Sequence, residues 1–244
     1  MFLIEFLGLK GGVGRSTLSA LLALGLAEKG MRVSLIDLDP LGYSSHLLGV
    51  REPNLSHNST EEIQFQGEIN VGRGSVNVLK IFGHVGLWNL LKSLPREEIQ
   101  QRLEHYLKVT KNTKYVITDK SQFTGNTKIV QDIITESLNQ FTKKRLYITD
   151  SNSINLELTA KLVNEDIDPF GVIINMVPPF PSAMEKAREV ASLFKGLVVV
   201  NPFIESLFNV DSLSTDLIPV TIRKLIGFLD SPAPDLLVIM PDME

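Results

Sequence analysis

Short apolar runs alternate along this chain with amphipathic stretches. Most of the runs are nearly continuous in Val, Ile, Leu and Phe, which is typical of strands covered on both faces. The predicted strands span residues 2–7, 32–36, 76–82, 115–118, 145–149, 170–175 and 197–200. Apolar residues at helical spacing predict helices over residues 16–29, 96–108, 126–141, 156–164, 183–194 and 221–229. This alternation predicts βαβ units and a three-layer α/β fold with a mostly parallel sheet flanked by helices.

Two segments stand outside this alternation. Residues 51–74 are rich in Asn, Ser, His and Gly and predict a long loop, in which Gly72-Arg73-Gly74 marks a turn. The segment LLVIM, residues 236–240, is either an added strand or a docking segment for a partner. No repeat, low-complexity tract or linker divides the chain, so residues 1–244 are interpreted as a single domain.

The composition narrows the class of protein. The 244 residues are 43% hydrophobic and 21% charged, which is ordinary for a globular protein. The absence of cysteine excludes disulfides, thiolate zinc sites and iron–sulfur clusters. A net charge of −4 excludes a chain-wide polycation but leaves room for a local basic patch. Because no apolar stretch approaches the ~20 residues of a membrane span, we expect a cytoplasmic protein.

A glycine-rich loop joins the first predicted strand to the first predicted helix. It reads GLKGGVGRST from Gly8 to Thr17. Glycines let successive backbone N–H groups converge on an anion, and the helix N-terminus adds favourable partial charge. The hydroxyl of Ser16 can reach a phosphate-bound Mg²⁺. The position, the two basic residues and the Ser-Thr pair together predict a phosphate-binding loop rather than a bare turn.

The loop resembles the deviant Walker A motif, KGGxGK followed by Ser or Thr, of the ParA/MinD family of ATPases. The resemblance implies a P-loop NTPase fold of the SIMIBI type and an ATPase that forms a homodimer around ATP and Mg²⁺. In that family the early lysine, here Lys10, reaches across the dimer to the partner's phosphates. The implied nucleotide-binding residues of the loop are Gly11, Gly12, Val13, Gly14, Arg15, Ser16 and Thr17.

Further segments match the family in order. VSLIDLDP resembles the motif after the second strand, which implies that Asp39 orients the attacking water and Asp37 organises the metal region. YVITD resembles the Walker B strand, which implies that Asp119 holds an Mg²⁺-bound water. IIN and NPF resemble the adenine segments, so Asn175 is expected to hydrogen-bond the base and Pro202 to pack on it, favouring ATP over GTP.

The chain departs from the family pattern at two places. Arg15 replaces the general Walker lysine, so a planar fork stands in for a compact ammonium. Either the loop shifts slightly and Arg15 does the same work, or placement of the transition state suffers. After Asp119, KSQFTG lacks the family's prolines, and Lys120 either pairs with Asp119 or points to solvent. We therefore hypothesise a slow ATPase that works mainly as an ATP-gated dimer.

The resemblance also implies partners. Leu9, which replaces the first Walker glycine, is more typical of ParA than of MinD proteins. ParA-like proteins bind duplex DNA nonspecifically as dimers and respond to a centromere-binding adaptor protein. The basic residues that the resemblance suggests for DNA contact are Lys186, Arg188, Arg223 and Lys224. We therefore expect a nucleoid-associated ATPase that segregates a chromosome or plasmid.

Two alternatives stay open. A MinD-like positioning ATPase would bind the membrane surface through the amphipathic segment TIRKLIGFL, residues 221–229. The acidic chain end suits anionic lipid poorly, and packing of this helix on the sheet is the simpler interpretation. The other alternative is a nucleotide-binding scaffold that dimerises on ATP without turnover.

Overall fold

The computed structural model describes residues 1–50, 67–81, 94–120, 125–138 and 140–242. Its strands are β1 (Phe2–Leu7), β2 (Arg32–Asp37), β3 (Gly67–Val71), β4 (Gly74–Lys80), β5 (Tyr115–Asp119), β6 (Thr142–Thr149), β7 (Pro169–Val177), β8 (Gly196–Pro202) and β9 (Leu236–Ile239). The helices of the described residues are α1 (Arg15–Glu28), α2 (Tyr43–Leu47), α3 (Arg96–Leu107), α4 (Gly125–Ser137), α5 (Ser153–Glu165), α6 (Pro181–Ala191) and α7 (Val220–Ile226). Short 3-10 helices cover Lys108–Asn112, Glu205–Leu207 and Thr215–Leu217.

The strands form one sheet in the order β3-β4-β2-β5-β1-β6-β7-β8-β9. Every neighbouring pair is parallel except β3 and β4, which form an antiparallel hairpin. Most strands are buried on both faces, as their continuous apolar sequences require. The predicted mostly parallel α/β sheet is confirmed.

Helices cover both faces of the sheet. On one face α1, α2 and α7 share a core with alternate residues of the strands. Helix α1 is buried without interruption from Leu18 to Ala27, because α7 packs on it as well as the sheet. On the other face α3 and α4 form one cluster with the strands, and α5 and α6 form a second. The fold therefore has the three layers that the sequence predicted.

The predicted strands and helices are all present, with some ends shifted by a few residues. The prediction of a long loop over residues 51–74 was wrong in its last part. There β3 forms an edge strand, and Gly72 and Arg73 make the predicted turn into β4. The alternating exposure of β3 belongs to a half-covered edge strand, whose polar residues conceal it in the sequence. Residues 51–66 lie outside the described residues, as does Phe82 at the end of a predicted strand.

The structure shows how residues 236–240 and helix α7 are placed, which the sequence left open. Residues of LLVIM form β9, which pairs with β8, so the added strand is confirmed. Helix α7 packs on the core: Ile222 is 1% exposed and Leu225 is 0% exposed. Its apolar face is therefore occupied, and the sequence basis for a membrane-surface helix is lost. Across the described part of the chain, none of the helices combines the length and the apolar character needed to cross a bilayer.

Parallel pairing brings the ends of the central strands to one edge of the sheet. β1 leads into the glycine-rich loop, and Asp37 and Asp119 lie opposite each other at the ends of β2 and β5. Crevices at the carboxyl ends of strands are where open α/β sheets bind ligands. The fold thus places the loop and both carboxylates at the edge where a ligand site is expected.

Candidate functional site

The glycine-rich loop runs directly from β1 into α1. Gly12 and Gly14 have φ of 78° and 86°, a left-handed conformation that favours glycine. Gly14 caps α1, and a Cβ at this position would lie 2.5 Å from Nδ2 of Asn175. The first turn of α1 carries no acidic side chain. The free N–H groups of this helix start are therefore directed at whatever anion enters the loop.

A cavity of about 650 Å³ opens beside this loop. The predicted residues that line it are Gly11, Gly12, Gly14, Arg15, Ser16, Thr17, Asp39, Asn175 and Pro202. Val13 does not: its side chain is 2% exposed and packs in the core. Its contribution to the site is its backbone carbonyl, which accepts a hydrogen bond from Asn175 at 2.9 Å. The structure therefore brings the predicted phosphate and base segments together around one cavity.

The far wall of the cavity is apolar, which the sequence reasoning missed beyond Pro202. Phe203, Leu207 and Phe208 line it, and the two phenylalanine rings lie 6.0 Å apart at a tilt of 55°. Phe203 is 38% exposed and Phe208 is 66% exposed. The signal in the sequence is the run NPFIESLF, which begins in the last two residues of β8 and continues with apolar residues beyond the strand. An apolar wall of this kind suits the flat face of a base.

Asp37 is fully buried and holds the loop that follows β2. One carboxylate oxygen accepts from the backbone N of Asp39 at 3.0 Å. The other accepts from the N and Oγ of Ser45 at 2.9 and 2.7 Å. Burial raises the pKa of Asp37, while the hydrogen bonds from Ser45 and Asp39 oppose the increase. Both oxygens thus accept hydrogen bonds from the turn that carries Asp39 and from α2.

Asp39 lies nearer the cavity, on the turn that Asp37 holds. Its Oδ1 accepts from the backbone N of Leu41 at 2.8 Å, and the residue lines the cavity wall. The position suits a group that accepts a hydrogen bond from a water or a phosphate-bound ligand.

Asp119 carries the clearest unsatisfied group of the site. It is 1% exposed, and its Oδ2 atom is buried without a hydrogen-bond partner. Burial, and then the charge of Asp37, raise the pKa of Asp119 to about 7, whereas the nearby Ser16 hydroxyl lowers it. A buried carboxylate oxygen with no donor is an unfavourable arrangement that a cation or its bound water would relieve. Ser16 and Asp119 therefore fit a magnesium site of the predicted kind.

Among the described residues, Ser16 and Asp119 are not joined by a larger cluster of metal-ligating side chains. Within the described residues, no group of three or more His, Asp or Glu side chains is arranged to hold a metal ion. Mg²⁺ commonly takes one or two protein ligands and completes its octahedron with water and phosphate oxygens. The donor set therefore fits a metal that arrives with a phosphorylated ligand.

The Arg15 side chain is engaged by another part of the chain, the segment that follows β5. Its guanidinium donates to the backbone carbonyl of Lys120 at 2.9 Å, just after β5. Neither expectation for Lys120 is met, because its ammonium lies 3.6 Å from the buried carboxylate of Glu5. The same Glu5 is 3.1 Å from Lys143. Arg15 therefore links the phosphate loop to the start of the segment after Asp119, of which residues 121–124 lie outside the described residues.

Lys10 has a partner within its own chain. Its Nζ atom lies 3.0 Å from Oδ2 of Asp150, and the side chains are 57% and 21% exposed. Asp150 also accepts from the side chain of Asn155 at 2.7 Å and the backbone N of Asn152 at 3.1 Å. Burial opposes ionisation of Asp150, but the hydrogen bonds from Asn155, Lys10 and Asn152 prevail and lower its pKa. Lys10 is thus held against the start of α5 by a carboxylate that stays ionised.

The base end of the cavity is built from β7 and β8. Asn175 lies at the end of β7, where Met176 adopts a left-handed φ of 56° and the register with β8 shifts. Strained non-glycine residues of this kind are concentrated at functional sites. Asn175 is 6% exposed, donates to the Val13 carbonyl and accepts from Asn201 at 2.7 Å. Its amide is therefore ordered before any ligand enters.

The four basic residues suggested for DNA contact do not form one patch. Lys186 and Arg188 lie on α6, while Arg223 and Lys224 lie on α7, which covers the opposite face of the sheet. Arg223 pairs with Glu28 and donates to the carbonyl of Thr215. Lys224 lies 3.0 Å from Asp242. Of these four residues, all of which lie in the described part of the chain, Lys186 and Arg188 are exposed and have no ion-pair partner.

The chain is similar to known nucleotide-binding proteins. The family model of the CobQ/CobB/MinD/ParA nucleotide binding domain (CbiA) matches residues 4–219. A search of curated proteins gave no significant match. A chain of the MinC:MinD cell division protein complex of Aquifex aeolicus is 17% identical, with a TM-score of 0.61 over 93% of this chain and 96% of that chain.

Two further solved structures are similar. Cobyrinic acid a,c-diamide synthase of Mycobacterium smegmatis, with an ATP analog and magnesium bound, is 15% identical, with a TM-score of 0.61 over 97% of this chain and 100% of that chain. The pNOB8 ParA protein bound to nonspecific DNA is 16% identical, with a TM-score of 0.50 over 78% of this chain and 74% of that chain. At these identities the likeness is one of fold.

Proposed function

This chain belongs to the family of CobQ/CobB/MinD/ParA nucleotide-binding domains, and from that premise we propose that it is a ParA-like ATPase. It binds ATP with Mg²⁺, forms a homodimer in that state and binds DNA nonspecifically to help segregate a chromosome or plasmid. The observation that carries the proposal is the cavity in which the loop, Asp39, Asn175 and Pro202 meet. Its glycine-rich end suits phosphates, and its apolar end suits a base.

The phosphates are held by the loop and by the start of α1. The backbone N–H groups of Gly12 and Gly14 and the hydroxyls of Ser16 and Thr17 supply the donors. Mg²⁺, when bound, neutralises phosphate charge beside Ser16 and Asp119. Asp119 is ionised in that state, because a nearby cation favours its charged form. Asp37 keeps the turn that carries Asp39 in place.

Hydrolysis requires two further groups. Asp39 accepts a hydrogen bond from the attacking water and so orients the water toward the phosphate. Lys10 acts across the dimer, which requires it to leave the carboxylate of Asp150. Turnover is slow, because Arg15 is engaged with the Lys120 carbonyl and cannot place a compact charge at the transferred group.

DNA binding rests on the exposed basic side chains of α6. Lys186 and Arg188 are free to meet phosphates, whereas Arg223 and Lys224 are engaged by Glu28 and Asp242. A dimer carries two copies of α6 and so doubles this charge. The fold similarity to a ParA protein solved on nonspecific DNA supports this assignment. The partners we propose are duplex DNA, which places the protein on the nucleoid, and a centromere-binding adaptor that stimulates hydrolysis.

The DNA proposal is tested with random-sequence duplex DNA. Binding is measured with ATP, with ADP and without nucleotide, at about 50 and 200 mM salt. We expect binding only with ATP, and a steep loss at the higher salt, because phosphate contacts release counterions. The double variant Lys186→Ala/Arg188→Ala should lose most binding, whereas the control Lys224→Ala should retain it. Binding that is independent of nucleotide, or absent in every state, contradicts the proposal.

A second candidate is a nucleotide-binding scaffold without turnover. It is favoured by one contact, the hydrogen bond from Arg15 to the Lys120 carbonyl. Phosphate release from the purified protein, with and without DNA, separates the two candidates. A stable ATP-bound dimer with no release under either condition favours the scaffold.

A further inference from the structure

A buried chain of polar side chains connects the phosphate loop to α7. Asn175 Nδ2 donates to the Val13 carbonyl at 2.9 Å, and Asn201 Nδ2 donates to Asn175 Oδ1 at 2.7 Å. The hydroxyl of Thr221 then donates to Asn201 Oδ1 at 2.6 Å. Asn175, Asn201 and Thr221 are 6%, 2% and 1% exposed. This relay thus passes from the loop through β7 and β8 to the first turn of α7.

The carbonyl at one end sets the direction of the relay, and the contacts of Asn201 and Thr221 strengthen that preference. A backbone carbonyl only accepts, so the amide nitrogen of Asn175 must face Val13 and its oxygen must face Asn201. Asn201 must then present its nitrogen to Asn175 and its oxygen to Thr221. The Thr221 hydroxyl can act as the donor that this oxygen needs. Turning either amide over would oppose two acceptors or two donors in a buried place, which is unfavourable.

We propose that Asn201 and Thr221 are positioning residues that fix the orientation of the Asn175 amide, and so make the cavity select a 6-amino purine over a 6-oxo purine. The inference rests on the proposed function, in which Asn175 contacts the base. An asparagine amide pairs with adenine through its oxygen at the 6-amino group, whereas a 6-oxo group needs the nitrogen. A freely turning amide serves both bases, and a fixed one serves only the first.

The Asn175 amide has hydrogen-bonding groups left over for the base. After its contacts with Val13 and Asn201, the amide keeps one N–H and one oxygen lone pair. Asn175 lines the cavity, so in this proposal these two groups meet the base. Their order along the cavity wall is set by the relay and not by the ligand. Selection at the 6-position is therefore expected to depend on Thr221, which does not line the cavity itself.

The test compares ADP with IDP, which carry the same phosphates and differ at the 6-position. Affinities of both nucleotides, with Mg²⁺, are measured by calorimetry for the full chain and for Thr221→Val. We expect the wild type to prefer ADP, and Thr221→Val to reduce that preference about fivefold, as expected for one hydrogen bond. Thr221→Ser keeps the hydroxyl and should retain the preference.

Thr110→Val is the matched control. Thr110 is 2% exposed and its hydroxyl donates to the Leu107 carbonyl at 2.7 Å, away from the cavity. This variant also loses a buried hydroxyl, so it should be destabilised to a similar degree but keep the wild-type ratio of ADP to IDP affinity. If Thr221 has only a structural role, Thr221→Val will lower the affinities for ADP and IDP equally and leave their ratio unchanged. That result would overturn the inference.

Asn201→Asp provides a second and sharper variant. An ionised carboxylate of nearly the same shape only accepts, so it cannot donate to Asn175 Oδ1. Its full charge attracts the Asn175 N–H groups more strongly than the neutral Val13 carbonyl does, which favours the turned-over amide. We expect IDP to bind this variant at least as well as ADP does. A variant that still prefers ADP as the wild type does would contradict the inference. If the wild type binds neither nucleotide, the proposed function fails; if it prefers ADP and no variant shifts the ratio, only the inference fails.

Discussion

The ion pair between Lys10 and Asp150 gives the most direct handle on dimer formation. The two atoms lie 3.0 Å apart within one chain, yet Lys10 is proposed to act on the phosphates of the partner. Dimerisation must therefore break this pair in each protomer. Asp150→Asn removes the charge that holds Lys10, while an asparagine oxygen can still accept from Asn152 and Asn155 at the start of α5.

The size of the effect follows from the exposure of the pair. With side chains that are 57% and 21% exposed, a pair of this kind contributes about 0.2–1 kcal/mol. Two protomers release two pairs, so the ATP-bound dimer should gain about 0.4–2 kcal/mol. That range corresponds to a dimer dissociation constant about two- to thirtyfold lower.

The assay is sedimentation velocity at graded protein concentrations with ATP and Mg²⁺. Asp242→Asn serves as the control, because it breaks the pair between Lys224 and Asp242, which is also 3.0 Å long. In a Lys10→Ala background, which we expect to stay monomeric with ATP, Asp150→Asn should not restore the dimer. The pKa of Asp150 is lowered, so its charge is constant above the usual Asp range and the gain should be the same at pH 6 and pH 8. A weaker dimer of Asp150→Asn, or a dimer that Asp150→Asn restores in the Lys10→Ala background, would contradict a role for this ion pair in holding Lys10.

Three further predictions concern the loop and the buried carboxylates. Arg15→Lys frees the Lys120 carbonyl and restores a compact charge, so ATP turnover should rise about 10²-fold in a phosphate-release assay; an unchanged rate would contradict the slow-ATPase hypothesis. Gly14→Ala combines a φ of 86° with a Cβ 2.5 Å from Asn175, so it should abolish ATP binding and lower stability by about 1–3 kcal/mol; normal binding by calorimetry would argue against the loop geometry. The raised pKa of Asp119, about 7, makes its ionisation unfavourable for folding, so stability falls as pH rises from about 4 to about 7. Asp119→Asn should therefore stabilise the nucleotide-free protein in urea unfolding, and by more at pH 8 than at pH 5; an equal gain at both pH values would exclude Asp119 as the cause.

The fold could be predicted from the sequence because the patterns that indicate it are local. The continuous apolar runs of the central strands and the glycine loop before α1 mark a parallel α/β sheet without long-range information. Edge elements gave weaker signals. β3 is short and half exposed, so its polar residues resemble those of a loop. β9 is a strand of only four residues at the other edge of the sheet, and so short an apolar run does not by itself distinguish a strand from a docking segment.

The individual residues of the site were predictable, but their partners were not. Motif spacing located the loop, Asp37, Asp39 and Asp119, which follow strands that parallel pairing gathers at one edge. The partner of Lys10 lies 140 residues away, and the donor to Asn175 lies on a different strand. Such contacts depend on strand order and register, which a single sequence does not display. The same is true of the basic residues, whose division between two faces appears only in the folded chain.

We propose that ATP converts this chain into a dimer through Lys10. The most direct test of this proposal is the mass of the protein in solution by sedimentation equilibrium, with ATP and Mg²⁺, with ADP and Mg²⁺, and without nucleotide. We predict twice the 27.1 kDa monomer mass with ATP alone, and the monomer mass for Lys10→Ala under the same condition. One mass in all three nucleotide states, or a dimer of Lys10→Ala as stable as that of the wild type, would contradict the account.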